Sequence, residues 1–167
     1  MAPELDLASA ITPGASLLVD TSAVLSYLVG TEPASPLAEQ LFDSFVATGR
    51  NSAWLSIVTV QEVLVRPFRS GAAAVAIAEG FLRHFAEIRL VEVSYDIARE
   101  AARVRAVTGM RAPDALIYAT AFVTGVDMLV TNDQAWRARA ETIAPDLRVL
   151  VLAASARPRR ASARMGA

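Results

Sequence analysis

The chain has 167 residues, of which 54% are apolar and 20% are charged, a balance that suits one globular domain with a sizeable core. It contains no cysteine and a single histidine, His84, which excludes disulfides, thiolate metal sites and multi-histidine zinc sites. All 16 basic residues are arginines, and four of them lie in the stretch 157–164, so that 12 arginines are left against 17 acidic residues. Such a net-acidic body is poorly suited to holding nucleic acid by charge alone, but it suits carboxylates that gather a metal ion.

Apolar runs and helical patterns alternate along the chain. Short buried strands are predicted at 16–20, 52–57, 88–93, 127–131 and 147–152. Helices are predicted at 21–29, 35–49, 59–67, 71–85, 94–109 and 112–125, with a short one through Trp136. We expect Thr21 or Ser22 to cap the first of these helices and Pro67 to end the third. The alternation predicts an α/β protein, a three-layer α/β/α sandwich with a mostly parallel central sheet of about five strands.

The two ends of the chain are expected to be tails around one domain of residues 15–153. The N-terminal tail is residues 1–14, and the arginine-rich tail of residues 154–167 is expected to be disordered. Glu4 and Asp6 stand where a secretory signal would be basic, and no uncharged apolar run is long enough to span a bilayer. We therefore expect a cytoplasmic protein with no membrane association.

Four acidic residues from distant segments are predicted to lie at one end of the sheet. Asp20 closes the first strand, and Asp133 directly follows the fourth. Glu62 is in the first turn of the helix after the second strand, and Asp114 is in the first turn of the helix before the fourth. Ligands of open parallel sheets bind in the crevice beyond the carboxyl ends of the strands. We therefore predict that these four carboxylates form one site.

Taken singly, three of the acids also have a structural explanation. Glu62 fits a capping box with Thr59. Asp114 suits the positive end of a helix dipole, and Asp133 is placed to cap the short helix. Asp20 has no comparable local role. These explanations account for the residues separately, but they do not account for the convergence.

Carboxylates that converge repel one another. At ~4 Å and an effective dielectric of ~20, a pair costs about 4 kcal/mol, which a protein relieves by protonation or by binding a cation. Oxygen ligands without histidine or cysteine select Mg²⁺, with Mn²⁺ as a close substitute. Because such an ion activates water and neutralises charge on phosphoryl oxygens, the predicted chemistry is phosphodiester hydrolysis.

The segments around the four acids resemble, in order and spacing, the acidic motifs of PIN-domain ribonucleases, and most closely those of VapC-type toxins from bacterial toxin–antitoxin modules. They read "LLVDTSAVLSYL", "VTVQEVLVR", "RAPDALIYATA" and "MLVTNDQAW", and the resemblance runs from about residue 16 to 152. It implies that Asp20 and Asp114 are the principal Mg²⁺ ligands. It implies that Glu62 and Asp133 complete the catalytic acid cluster.

The same resemblance assigns roles to the neighbours of the fourth acid. Thr131 and Asn132 match positions that orient the last acid or a water. Ala135 and Trp136 depart from the pattern, since the family often has an acid followed by phenylalanine there.

The resemblance further implies an endoribonuclease that cuts RNA, forms a homodimer and is blocked by a partner antitoxin. We expect an apolar surface with Leu28, Leu41 and Phe45 to receive an antitoxin helix. A PIN-like binding module without catalytic activity is the alternative. Receiver domains and haloacid-dehalogenase-type phosphatases also gather acids at strand ends, but they rely on a lysine, and the chain has none.

Arginines and tryptophans near the predicted site have two open interpretations. The arginines suit RNA phosphates or a solvated surface: Arg66, Arg69, Arg111, Arg137 and Arg139. Trp54 and Trp136 suit stacking on unpaired bases or packing in the core, and core packing is favoured for Trp54.

Overall fold

The computed structural model describes residues 6–152 of the chain, and its strands form one parallel sheet. The strands are β1 Ser16–Val19, β2 Ser52–Ser56, β3 Ile88–Val91, β4 Met128–Thr131 and β5 Arg148–Val151. They lie in the order β3-β2-β1-β4-β5, and every pair of neighbours is parallel. The predicted α/β class with a central sheet of five strands is confirmed.

Helices cover both faces of this sheet. They are α1 Leu7–Ala10, α2 Thr21–Val29, α3 Ser35–Glu39, α4 Ile57–Ser70, α5 Ala72–His84, α6 Tyr95–Thr108, α7 Ala112–Thr124 and α8 Ala135–Ile143. Along β1, Leu17 and Val19 belong to the core shared with α2 to α5, whereas Leu18 belongs to the core shared with α6 to α8. The side chains of a strand alternate between the two faces of its sheet, so the apolar run of β1 serves two separate cores.

The strand order reverses beside β1. From β1 the chain moves outward through β2 and β3, and it then returns to place β4 and β5 on the other side. The Asp20 N–H donates to the carbonyl oxygen of Val130 at 2.8 Å, which joins the ends of β1 and β4. The crevice at such a reversal is the usual ligand site of an open α/β sheet. The fold therefore places the predicted site between β1 and β4.

Two helix predictions are wrong in their details. The helix predicted at 35–49 is two segments, α3 and a π-helical segment Gln40–Val46. The helix predicted to end near Pro67 continues to Ser70, as part of α4. Proline lacks an N–H, but the Pro67 carbonyl still accepts from the Gly71 N–H at 3.0 Å, so the helix gains one more turn before Gly71 leaves it with φ 115°.

Part of the segment predicted as an N-terminal tail lies against the core. Asp6 caps α1 by accepting from the Ala8 N–H at 3.0 Å, and the side chains of Leu7 and Ile11 are fully buried in the core of the α2–α5 face. The predicted C-terminal tail, residues 154–167, lies outside the described residues. Among the helices of residues 6–152, none is both long enough and apolar enough to cross a membrane.

Candidate functional site

Asp20 is a buried carboxylate at the carboxyl end of β1. Its side chain is 5% exposed, and Oδ2 accepts hydrogen bonds from Ser22 Oγ at 2.6 Å and from Thr131 Oγ1 at 2.8 Å. Asp20 is the N-cap residue of α2, the place predicted for Thr21 or Ser22, but its carboxylate makes no capping hydrogen bond. Burial raises the pKa of the Asp20 carboxyl group, and the two hydroxyl donors oppose that rise. The carboxylate is therefore held for a purpose other than helix capping.

Thr131 and Ser22 link Asp20 to the loop after β4. Besides donating to Asp20, Thr131 Oγ1 accepts from the Asp133 N–H at 3.1 Å. Ser22 Oγ likewise accepts from the Asn132 N–H at 3.0 Å. These two hydroxyls therefore hold the first acid and the backbone of the fourth acid in one hydrogen-bond network.

Asn132 ties the same loop to α2. Its Nδ2 donates to the Ser22 carbonyl oxygen at 3.0 Å and to Ser26 Oγ at 2.6 Å. Ser26 Oγ in turn donates to the Glu32 carboxylate. The Asn132 Oδ1 atom is buried and has no hydrogen-bond partner within residues 6–152. The Asn132 side chain thus orients the helix that carries Ser22, rather than Asp133.

Asp133 caps the short helix that follows it, as predicted. Its Oδ1 accepts from the Ala135 N–H at 2.8 Å, at the start of α8. Its residue is exposed, in contrast to Asp20. This bond uses one carboxylate oxygen, and the other accepts no hydrogen bond from residues 6–152.

The predicted capping box between Thr59 and Glu62 is wrong. Helix α4 begins at Ile57 with Ser56 as its N-cap, so Glu62 lies in the second turn and has no free N–H to satisfy. Its Oε2 instead accepts from Thr21 Oγ1 at 2.6 Å, and that hydroxyl also contacts Thr59 Oγ1 at 3.2 Å. Glu62 is therefore directed toward the residue that follows Asp20.

Asp114 lies in the first turn of α7, as predicted, and is paired with Arg111. Arg111 Nε donates to Asp114 Oδ2 at 3.2 Å, where the side chain of Arg111 is 80% exposed and that of Asp114 is 19% exposed. Pro113 stands at the start of the helix, where its missing N–H costs nothing. The helix start therefore presents a carboxylate that already has a cationic neighbour.

All four predicted acids line one pocket of about 570 Å³ between the ends of β1 and β4. We call it the acid pocket, and its lining residues are Asp20, Thr21, Ser22, Leu25, Gln61, Glu62, Val65, Arg111, Pro113, Asp114, Asp133 and Trp136. Sequence reasoning missed the roles of Thr21 and Ser22, which it assigned to helix capping. Their signal was their position one and two residues after Asp20.

The donor set of the acid pocket fits a hard divalent cation in kind, since its anionic ligands are carboxylates without histidine or cysteine. As the side chains lie, no group of three or more acidic or histidine residues within 6–152 forms a ready-made cage for a metal. Magnesium asks for less than such a cage, because it keeps several waters and is commonly bound through one or two carboxylates. Asp20 and Asp114, the pair predicted from the sequence, both line the pocket.

The other predicted site residues divide between the pocket, the core and the surface. Trp136 lines the pocket but is only 2% exposed, so its ring cannot stack on a base. Its ring centroid lies 6.3 Å from that of Tyr118. Trp54 is half-buried against the core of α6 to α8, with Arg89 over its ring at 5.6 Å. Of the five predicted arginines, Arg111 alone lines the acid pocket.

The predicted antitoxin surface is wrong in two of its three residues. Leu41 and Phe45 are buried in the core, at 0% and 3% exposure, so they cannot receive a partner. Leu28 instead lines an apolar groove of about 280 Å³ between α2, α4 and α5. The residues of this apolar groove are Leu25, Leu28, Val29, Val63, Arg66, Pro67, Ser70, Ala74, Ile77 and Ala78.

Comparison with known proteins identifies the fold and the family. Three solved structures are similar to the chain, and the first is FitAcB from Neisseria gonorrhoeae, with 19% identity and a TM-score of 0.62 over 81% of this chain and 97% of that one. The second is VapC20 from Mycobacterium tuberculosis, a Sarcin-Ricin loop cleaving toxin, with 20% identity and a TM-score of 0.60 over 73% of this chain and 93% of that one. The third is VapBC2 from Rickettsia felis, bound to a DNA fragment from their promoter, with 15% identity and a TM-score of 0.58 over 81% of this chain and 98% of that one. At these identities the likeness is one of fold. No curated protein matches the chain.

The sequence itself matches a family model over most of its length. That model is the PIN domain, and it covers residues 17–142, a span that contains all four acids of the pocket. The chain belongs to the PIN domain family.

Proposed function

We propose that the chain is a magnesium-dependent endoribonuclease that acts in the cytoplasm as the toxin of a type II toxin–antitoxin system. The observation that carries this proposal is the acid pocket, in which carboxylates from four distant segments meet at the strand reversal. Membership of the PIN domain family and the likeness in fold to VapC20, a Sarcin-Ricin loop cleaving toxin, support it. A bound Mg²⁺ would supply an activated water and stabilise the charge that grows on the phosphoryl oxygens.

The residues of the chain have distinct tasks in this proposal. Asp20 and Asp114 would hold the cation, and the hydroxyls of Ser22 and Thr131 fix the orientation of Asp20 by hydrogen bonds of 2.6 and 2.8 Å. Both of these side-chain hydrogen bonds go to Oδ2, which leaves Oδ1 as the oxygen that would bind the cation.

Glu62 and Asp133 complete the negative surface of the pocket. Each engages one oxygen in a structural hydrogen bond, with Thr21 Oγ1 for Glu62 and with the Ala135 N–H for Asp133. Each keeps its other oxygen for a proton of the attacking water or for a second cation. This division lets the same side chain be held in place and still take part in chemistry.

A cleavage assay on labelled single-stranded RNA tests the proposal. Wild-type protein is expected to cut in Mg²⁺ or Mn²⁺ and to stop in EDTA, and Asp20→Ala and Asp114→Asn are expected to lose cleavage while keeping the wild-type circular dichroism spectrum. The matched control is Asp96→Asn, which changes an exposed acid in the first turn of α6, outside the acid pocket. Full cleavage by both pocket variants, or in EDTA, would contradict the proposal.

A second candidate is a PIN-like module that has lost catalysis and only docks a protein or RNA. Arg111, whose Nε pairs with Asp114 at 3.2 Å, gives this alternative some weight because it occupies an oxygen that a metal would need. Calorimetric titration with Mn²⁺ separates the two candidates. A wild-type protein with no affinity below millimolar supports the docking module.

The apolar groove is the proposed binding site of the antitoxin. Leu25 lines both the groove and the acid pocket, so a helix bound in the groove extends directly to the catalytic acids. Arg66 at the groove suits an acidic residue of the partner. A homodimer is also part of the proposal, and light scattering coupled to gel filtration tests it.

A further inference from the structure

Arg111 differs from every other side chain of the acid pocket in its charge. Of the residues within 6–152 that line the pocket, Arg111 alone is basic, whereas four are acidic. Its Nε donates to Asp114 Oδ2 at 3.2 Å, and its terminal nitrogens donate no hydrogen bond to residues 6–152. Arg111 therefore pairs with one acid of the pocket and shares the pocket with the other three.

The placement of Arg111 follows from the start of α7. Arg111 is the N-cap residue, with extended backbone at φ −63° and ψ 156°, and Asp114 follows it in the first turn. A cation at the N-terminus of a helix faces the positive end of the helix dipole, which is unfavourable. Capping thus gives no reason for an arginine here, and its side chain makes no capping hydrogen bond. The arginine at this position is explained instead by its ion pair with the neighbouring Asp114.

The simplest alternative is an ordinary exposed ion pair. Such pairs contribute little to stability, and the Arg111 side chain is 80% exposed. A weak pair is nevertheless significant at this position, because it engages one oxygen of an acid proposed to bind metal. A divalent cation that binds to Asp114 must compete with the guanidinium for that carboxylate.

We propose that Arg111 is the resident counter-ion of the acid pocket, which competes with a divalent cation for Asp114 and so sets the affinity of the site for metal. This inference rests on the proposed function, since it concerns the same metal site. Arg111 acts here as a positioning residue: in the absence of a cation it offsets the repulsion among the acids, and it leaves Asp114 when a cation binds. Arg111 thereby stabilises the arrangement of the four acids when no metal is bound, and it weakens the binding of a metal.

Calorimetric titration of the full chain with Mn²⁺ tests this inference. Arg111→Met keeps the length of the side chain and removes its charge, and it is expected to bind Mn²⁺ about two- to fivefold more tightly than wild type, the equivalent of one exposed ion pair. Arg69→Met is the matched control, because Arg69 is an exposed arginine of α4 outside the acid pocket, and its affinity is expected to equal that of wild type. Equal affinity of Arg111→Met and wild type, or an equal gain in Arg69→Met, overturns the inference.

A spectroscopic measurement on the wild-type chain gives an independent readout. The Nε–H proton resonance of Arg111, identified by its loss in Arg111→Met, is expected to shift as Mg²⁺ is added, because its bond to Asp114 is broken. A resonance that does not move while Mg²⁺ binds overturns the inference and leaves the proposed nuclease intact. No metal binding by wild type or by Arg111→Met would instead overturn the proposed function, and the inference with it.

Discussion

Thr131 Oγ1 donates a hydrogen bond of 2.8 Å to Asp20 Oδ2, across 111 residues of sequence, and both residues are buried. The bond joins the end of β4 to the acid at the end of β1. Because Asp20 has little water to solvate its charge, the hydroxyl is one of the few groups that stabilise the ionised form. The integrity of the site and the stability of the fold therefore depend on the same atom.

The variant Thr131→Val tests this dependence. Valine has nearly the shape of threonine but cannot donate, so a buried carboxylate loses a partner, and we expect the free energy of unfolding to fall by about 1–3 kcal/mol. Urea denaturation at neutral pH measures the change. Thr131→Ser keeps the hydroxyl and is the control; a valine variant as stable as the serine variant would show that the bond contributes nothing.

Metal binding is expected to stabilise the folded chain. With free Mg²⁺ at about 100 times its dissociation constant, the gain is about 2.7 kcal/mol, or roughly 5–10 °C in Tm for a domain of this size. Thermal unfolding with Mg²⁺ and with EDTA measures it. Asp20→Ala is expected to lose the shift, whereas Asp96→Asn keeps it, and an undiminished shift in Asp20→Ala would place the ion elsewhere.

A charge in the apolar groove is expected to weaken binding of the proposed antitoxin. Ile77 is 71% exposed in the groove, and Ile77→Asp would bury an unpaired carboxylate under a bound helix, so we expect at least about a tenfold loss of affinity. The equivalent control is Val107→Asp, at 57% exposure on α6. Surface plasmon resonance with the antitoxin measures the affinity of both variants. Equal affinities would show that the antitoxin binds to another surface.

The pH dependence of stability has a component far from the acid pocket. At the amino ends of β1 and β4, the N–H and the Oγ of Ser16 each donate to Asp127 Oδ2 at 2.7 Å, and these bonds lower the pKa of the Asp127 carboxyl group. The unfolded chain therefore takes up this proton first as the pH falls. The stabilisation is complete above the unfolded pKa and is lost as the pH falls through the folded pKa.

Asp127→Asn isolates that component. At neutral pH the variant is expected to have a lower free energy of unfolding than wild type, because a charged acceptor of two hydrogen bonds becomes a neutral one. The difference is expected to shrink as the solution is acidified below the pKa of the unfolded chain. Urea denaturation across this range measures it, and a difference that stays constant with pH would assign the effect to packing.

The sheet and the placement of the four acids in one pocket could both be predicted from the sequence, and for the same physical reason. Short apolar runs that end in Asp20 or are followed by Asp133 are local signals, and parallel strands bring their carboxyl ends to one edge. Partnership between side chains is not a local signal. Glu62 matches a capping box with Thr59 in sequence, yet it bonds to Thr21, 41 positions away, because the N-cap of α4 is Ser56, three residues earlier than the motif suggests.

The apolar surface was harder to predict because periodicity reports that a residue is buried, not what covers it. Leu41 and Phe45 lie in the π-helical segment, and both face the core. Leu7 lies in a four-residue helix and Ile11 is its C-cap, and this helix is too short to give a periodic signal. Their burial depends on contacts with strands and helices far along the chain.

The reversal of strand order beside β1 has a consequence for the timing of synthesis. Asp20 is made early, but the strand that carries its buried partner Thr131 is made 111 residues later. At a translation rate of about 5–20 residues per second, that interval is roughly 5–20 s. A nascent chain holds the first and second acids long before β4 exists to complete their pocket, so the topology itself delays the moment at which a newly made molecule acquires the complete acid pocket.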